Sequence, residues 1–360
     1  MKILHVVGAR PNFMKISPIM REMTSKPELF VQVLVHTGQH YDDKMSDIFF
    51  KEFELSKPDV NLGVGSGSHA WQTAQVMLRF EPVVLNYQPD WVITVGDVNS
   101  TLACTLVCSK LGFPVAHVEA GLRSFDRGMP EEINRLLTDQ ISDLLFTPSQ
   151  DGNENLALEG IPSERIHFVG NIMIDTLVQL LPKAQKRWLV LKDNFRLDRY
   201  ILVTLHRPSN VDDPDTLRGI LEALNEVSVN IPVLFPIHPR TRQRMDEFGL
   251  ISSVRGVQIL EPFGYLDFLA LQMHATLVIT DSGGVQEETT YLGVPCITAR
   301  PNTERPVTIS MGTNCLVNST KGELLEVITS VLKEGTPHAK VPPLWDGRTA
   351  ARIVEVFQNL

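Results

Sequence analysis

The stretch PVAHVEAGLRSFDRGMPEEINR, Pro114 to Arg135, leaves an apolar run and then carries the charged side chains Glu119, Arg123, Asp126, Arg127, Glu131, Glu132 and Arg135. Carboxylates and guanidinium groups gathered at one strand exit can move protons, because burial and neighbouring charges tune the acids, and they can hold an anion. Taken alone, a solvated charged face is the plainer reading. Polar groups delivered to the same end of a sheet by other segments would favour chemistry instead.

Other segments do carry such groups. TLVITDSGGVQEETTYLG (276–293) reads as a strand, a tight Gly283-Gly284 turn and a helix whose free N–H groups and positive dipole end suit phosphate. Ser282 can donate to a phosphate oxygen there, and Glu288, about one turn into the helix, can accept from ribose hydroxyls. The spacing is neither G-x-x-x-x-G-K-[ST] nor G-x-G-x-x-G, so neither a P-loop nor a dinucleotide fingerprint is indicated. VVGARPNFMK places Arg10 and Lys15 at the first strand-to-helix turn, where a guanidinium fork clamps phosphate well. LHRPSN adds His206 and Arg207, PIHPR adds His238, and RPNTERP adds Arg305 on a loop stiffened by two prolines.

Several chemistries find no support. The histidines show no H-E-x-x-H or Cys/His spacing, the acids form no EF-hand loop, and no G-x-S-x-G elbow occurs, so neither a structural metal nor a serine hydrolase is expected. His5, His36, His117 and His274 lie in or beside apolar runs and read as core histidines. Cys104, Cys108, Cys296 and Cys315 form no C-x-x-C pair and read as buried thiols.

The elements that must position these residues follow from the hydrophobic pattern. Apolar runs at 2–7, 31–37, 91–96, 114–119 and 144–149, then at 200–206, 232–238, 276–281 and 295–300, alternate with segments of helical period. This predicts an α/β protein with two sets of parallel strands covered by helices on both faces. Ligands of such sheets bind outside the carboxyl ends of the strands, and nearly every strand exit here carries a charge, a histidine or a glycine turn. The charges after PVAHVE are therefore expected to line a cleft rim. Residues 171–198 suit a connection between domains, and 342–357 reads as a terminal helix entered through prolines, with Asp346 as a candidate N-cap.

Bulk properties agree. A chain of 360 residues predicts about two domains, and 43% hydrophobic content suits compact packing. The net charge of −9 disfavours nucleic acid and anionic membrane as partners, leaving an anionic small molecule where arginines converge. The amino terminus carries no leader pattern and no apolar run reaches a membrane span, which predicts a cytoplasmic protein.

Taken in order, GARPNFMK, TGQH, GDVNST, HVEAGLRS, PEEINR, the HR at 206–207, PIHPR, TDSGGVQEE and TERP make the chain resemble, nearly end to end, the non-hydrolysing UDP-N-acetylglucosamine 2-epimerases. The resemblance implies a glycosyltransferase-B-like fold of two Rossmann-like domains facing across a cleft. One domain would span 1–170, with a C-terminal helix at 345–360 packing back on it. The other would span 171–344 and bind UDP. It implies a homodimer that needs no cofactor and interconverts UDP-GlcNAc and UDP-ManNAc through a 2-acetamidoglucal. Asp97, Glu119 and Glu131 would be the catalytic carboxylates, with His206 assisting the departing phosphate. Phe268 would lie by the uracil and Glu288 by the ribose. Ser282, Gly283, Gly284, Arg10 and His206 would contact the diphosphate, and Lys15, Arg135, His238 and Arg305 would complete the substrate-binding set.

The chain departs from the family pattern in YDDKMSDIFF, in HAWQTAQVM, which lacks an expected arginine, and in RPSNVDD. The first two bear on the allosteric UDP-GlcNAc site of bacterial relatives. Related readings are a 2-epimerase of UDP-2,3-diacetamido-glucuronic acid and a retaining UDP-sugar glycosyltransferase, which would need an acceptor pocket.

Overall fold

The structure, a computed structural model, describes residues 1–38, 53, 55–335 and 339–360. The end of TGQH and all of YDDKMSDIFF lie outside the described residues, as does the side chain of Arg10. The chain divides into two compact units, Met1–Thr176 with Pro343–Leu360, and Leu177–Pro342.

Among the described residues, unit 1 holds seven strands: β1 (Lys2–Val7), β2 (Val31–His36), β3 (Val60–Asn61), β4 (Trp91–Val95), β5 (Val115–Val118), β6 (Leu144–Thr147) and β7 (Ile166–Phe168). They lie in the order β3-β2-β1-β4-β5-β6-β7, and every pair is parallel. Unit 2 holds six: β8 (Ile201–Thr204), β9 (Val233–Pro236), β10 (Val257–Leu260), β11 (Leu277–Thr280), β12 (Cys296–Ala299) and β13 (Asn314–Val317), in the order β10-β9-β8-β11-β12-β13 and again parallel. The order reverses between β1 and β4 in one sheet and between β8 and β11 in the other, which marks the crevice of each as a ligand position.

Both faces of the strands are covered, which is why they read as unbroken apolar runs. In β1, Ile3 and Val7 join one buried cluster while Leu4 and Val6 join another on the opposite face. The four strands absent from the sequence reading, β3, β7, β10 and β13, are the four edges of the two sheets. An edge strand is buried less completely, and their apolar runs are correspondingly short or broken.

Ile172–Phe195 is a single helix running across the division at Thr176–Leu177. The last helix, Thr349–Gln358, packs into the unit 1 core through Ile353, Val354 and Phe357. Its expected N-cap, Asp346, is not the cap. Asp346 accepts from Arg348 N at 3.1 Å, and the free N–H groups of Thr349 and Ala350 are taken instead by Asp175, at 3.0 and 2.7 Å. A carboxylate distant in sequence thus supplies the cap that helix entry requires. Of the cysteines, Cys315 is only partly buried, and His274, expected in the core, is half-buried and stacked on Trp188 at 4.3 Å. Among the described residues, no helix is long and apolar enough to cross a membrane.

Candidate active site

In unit 1 the polar groups gather at the exits of β1, β4 and β5. After β4 the chain turns at Gly96 with φ of +69° and releases Asp97; after β5, Glu119 itself adopts φ of +75°. A side chain rarely takes that left-handed conformation, so the surroundings must hold it. Glu119 N and Ala120 N both donate to Phe146 O at 3.0 Å, and the Glu119 carboxylate is ion-paired with the buried Lys15 ammonium. Gly96 fits because it lacks a β-carbon, which would stand 3.0 Å from Lys15 Nζ and 3.4 Å from Glu119 Oε2.

Asp97 pairs with Arg135, Nη1 to Oδ2 at 2.5 Å, and Asn134 Nδ2 donates to its backbone carbonyl at 2.8 Å. Arg135 and Asn134 sit on helix Pro130–Ile141, where Glu131 and Glu132 occupy the first turn. These neighbours differ. Glu132 is buried, accepts from Ser124 N at 3.0 Å and Phe125 N at 2.8 Å, and pairs with Arg135 at 2.5 Å. Burial alone would raise its pKa, but these hydrogen bonds and the Arg135 charge hold it below the ordinary value. Glu131 is partly exposed, and its side chain makes no hydrogen bond or ion pair with a described residue.

Beneath lies a second network. His117 is fully buried, with Nε2 at 2.8 Å from Gly96 O and Nδ1 at 2.6 Å from Asp139 Oδ1. Asp139 also pairs with Arg123 at 2.7 Å, and Arg123 with Glu159 at 2.7 Å. Within the Pro114–Arg135 stretch, Glu119, Arg123, Glu132 and Arg135 are therefore interior ion-pair partners, while Asp126 and Arg127 are exposed. The expectation that all these charges line a rim is corrected: Arg123, Glu132 and Arg135 are buried and brace the turns that present Asp97 and Glu119.

In unit 2 the corresponding exits are those of β8 and β11. His206 Nδ1 lies 3.0 Å from Asp281 Oδ1, with the imidazole side chain 39% exposed and Asp281 fully buried. His238 caps helix Pro239–Glu247 by accepting from Arg240 N at 3.2 Å, and its exposed ring stands 5.4 Å from that of His206. Ser282 is the N-cap residue of helix Gly283–Leu292, and its side chain makes no capping bond to the free N–H groups of that turn. The Arg305 guanidinium lies over Gly283, where a β-carbon would approach Nη1 to 2.4 Å; at Gly284 a β-carbon would meet nothing within 4 Å.

Arg305 also pairs with Glu287 at 2.7 Å and Glu304 at 3.4 Å, while Arg300 at 2.7 Å and Arg207 at 3.6 Å reach Glu304. Burial opposes ionisation of Glu304, yet these guanidinium groups hold it far below the usual carboxylate range. Three guanidinium groups thus gather around two carboxylates beside a helix start. Glu288 is buried, with Oε1 accepting from the Tyr265 hydroxyl at 2.8 Å; burial, reinforced by the neighbouring Glu287, pushes its pKa up to about 7. Phe268, half-buried, lies on the same helix as Tyr265, Tyr265–His274.

Unit 1 thus brings Lys15, Asp97, Glu119 and Arg135 together, and unit 2 brings His206, His238, Gly283 and Arg305 together. Asp139, Glu304 and the bracing roles of Glu132 and Asp281 escaped the sequence reading. Asp281 had a visible signal, a carboxylate between an apolar strand and a glycine turn; the others become meaningful only through their partners.

Comparison with known proteins agrees with these features. The family model for UDP-N-acetylglucosamine 2-epimerase matches residues 21–358. A UDP-N-acetylglucosamine 2-epimerase of Methanococcus maripaludis is 44% identical over 99% of this chain and 98% of its own. A UDP-2,3-diacetamido-2,3-dideoxy-D-glucuronate 2-epimerase of Pseudomonas aeruginosa is 43% identical over the full length of both. The crystal structure of the UDP-GlcNAc 2-epimerase of Methanocaldococcus jannaschii, in complex with UDP-GlcNAc and UDP, superposes with a TM-score of 0.92 at 44% identity, covering both chains completely. The chain belongs to the UDP-N-acetylglucosamine 2-epimerase family.

Proposed function

We propose that this protein is a non-hydrolysing UDP-N-acetylglucosamine 2-epimerase, interconverting UDP-GlcNAc and UDP-ManNAc. The observation that carries the reading is the pair Asp97 and Glu119 at the exits of adjacent strands, each carboxylate held by a buried cation, in a chain of this family.

The hydrogen on carbon 2 has no flanking carbonyl and is barely acidic, so a base alone does not suffice. In the proposed route the C1–O bond to UDP breaks as a carboxylate takes the carbon 2 proton, giving the 2-acetamidoglucal. A second carboxylic acid then delivers a proton to the opposite face of carbon 2 as UDP re-forms the bond at carbon 1. Atoms and electrons balance without a cofactor. Asp97, Glu119 and Glu131 are assigned the proton transfers. His206, the Gly283-Gly284 helix start and the guanidinium groups around Glu304 are assigned the diphosphate, whose departing charge they stabilise. Phe268 and Glu288 are assigned the nucleoside, and Lys15 and Arg135 hold the carboxylates in place.

The 43% identity to the Pseudomonas aeruginosa enzyme supports a second reading, a UDP-diacetamido-glucuronic acid as substrate. A panel of UDP-sugars followed by proton NMR at the sugar ring decides: UDP-GlcNAc equilibrating with UDP-ManNAc supports the first reading, and turnover of the diacetamido-glucuronate alone supports the second. A homodimer is also part of the proposal. Helix His69–Tyr87 exposes Trp71, Leu78 and Leu85 at heptad spacing, an apolar stripe suited to a second copy. Cytoplasmic action fits the origin expected of a nucleotide-sugar substrate.

A further inference from the structure

We infer that Asp281 is a positioning residue that selects the tautomer and orientation of the His206 ring. The inference rests on the assignment of His206 to the departing diphosphate.

Asp281 follows β11 and is fully buried, so its carboxylate must find donors within the fold. It finds them on the segment that leaves β8. Oδ2 accepts from His206 N at 2.9 Å, Arg207 N at 2.8 Å and Asn210 Nδ2 at 3.0 Å. Oδ1 faces His206 Nδ1 at 3.0 Å and His206 N at 3.1 Å. Burial opposes the ionised carboxyl, yet the His206 contact and the backbone donors hold it below its ordinary range. A carboxylate can only accept, so Nδ1 carries the hydrogen of that contact. Nε2 is left as the end of the ring offered to a ligand, and it donates to a diphosphate oxygen when the ring carries its second proton, with the Asp281 carboxylate balancing that charge. The Nδ1 of the neighbouring His238 is engaged elsewhere, accepting from Arg240 N at 3.2 Å.

The same side chain therefore ties together the exits of β8 and β11, where the strand order reverses, and aims the one imidazole that the mechanism uses there. A carboxylate behind an imidazole fixes its tautomer and orientation, which is how a group without contact to substrate governs one that has it.

Asp281→Asn isolates this role. Its amide oxygen replaces Oδ2 and keeps three donors satisfied, while the amide nitrogen takes the place of Oδ1 and donates to His206 Nδ1. The hydrogen of the neutral ring is then displaced to Nε2, and with an amide N–H aimed at Nδ1 the ring cannot also take a second proton, so the positive charge it would bring to the diphosphate is lost. Three readouts are needed on the full chain: 15N-histidine NMR, steady-state kinetics with UDP-GlcNAc, and UDP affinity by calorimetry. Asn210→Ala serves as the control, because it removes another Asp281 partner and leaves the ring contact.

The expected result is an Nδ1–H tautomer in the unaltered protein and an Nε2–H tautomer in Asp281→Asn. The variant should lose about 100-fold in kcat, the scale of acid–base assistance, with KM and UDP affinity changed by less than about threefold. Asn210→Ala should keep the tautomer and stay within about threefold in kcat. An Nε2–H tautomer in the unaltered protein, an Asp281→Asn variant of undiminished kcat, or an equal loss in Asn210→Ala overturns the inference. Should Asp281→Asn fail to fold, the tautomer of the unaltered protein and the control variant decide. Absence of epimerisation by the unaltered protein would instead sink the activity reading, and the tautomer would still be measurable.

Discussion

Arg135 joins two carboxylates, reaching Asp97 Oδ2 through Nη1 at 2.5 Å and Glu132 Oε2 through Nη2 at 2.5 Å. One guanidinium fork thereby connects a proposed catalytic acid to the helix that carries Glu131. Arg135→Met strips the buried Glu132 of its partner and should cost about 3–5 kcal/mol in urea unfolding. Arg135→Lys keeps the charge but cannot span both acids, so it should fold and still lose kcat. A lysine variant with unchanged kcat would show that the bridge does not serve the reaction.

Glu131 separates chemistry from architecture, because its side chain is partly exposed and makes no polar contact with a described residue. Glu131→Gln should leave the melting temperature unchanged and lower kcat by about 100-fold or more. A fall in stability with activity retained would assign Glu131 to the fold.

The two glycines at the helix start should respond differently. A β-carbon at Gly283 would drive Arg305 from its place against Glu287 and Glu304, whereas Gly284 faces open space. Gly283→Ala should therefore lower both stability and UDP affinity. Gly284→Ala should leave stability intact while weakening UDP by roughly tenfold or more, since backbone approach to phosphate is what glycine permits there. Calorimetric titration with UDP checks both, and wild-type affinity in the two variants would remove the helix start from the site.

The elements that sequence patterning reveals are those with an unbroken or periodic apolar signal: the nine interior strands, the terminal helix and the glycine turn at 283–284. The edge strands β3, β7, β10 and β13 lack such a signal because one side of each is unpaired. Motif residues such as Asp97, Glu119 and His206 are legible from their positions at strand exits. Their supports are not, because Arg135, Glu132, His117 and Asp139 acquire meaning through partners that only the fold supplies. Lys15 illustrates the limit: its place after β1 suggested phosphate, and the fold commits its ammonium to Glu119.

Glu288 makes stability depend on pH. Its pKa rises from an ordinary 4.5 to about 7 in the fold, so the folded protein binds that proton more tightly than the unfolded chain. The contribution is fully present below about pH 4.5 and is lost as pH rises through about 7. Relative to the unaltered protein, Glu288→Gln should therefore gain stability between about pH 5 and pH 8, by roughly 3 kcal/mol. Denaturant unfolding of both proteins at the two pH values checks this, and a pH-independent difference would contradict it.

The most direct test of the central claim is the fate of the hydrogen at carbon 2. UDP-GlcNAc turned over in deuterated water should yield UDP-ManNAc carrying deuterium at carbon 2, with the proton signal of that position lost as product accumulates. UDP-ManNAc that forms with its original hydrogen at carbon 2 would contradict elimination and re-addition, and with it the proton-transfer roles of Asp97, Glu119 and Glu131.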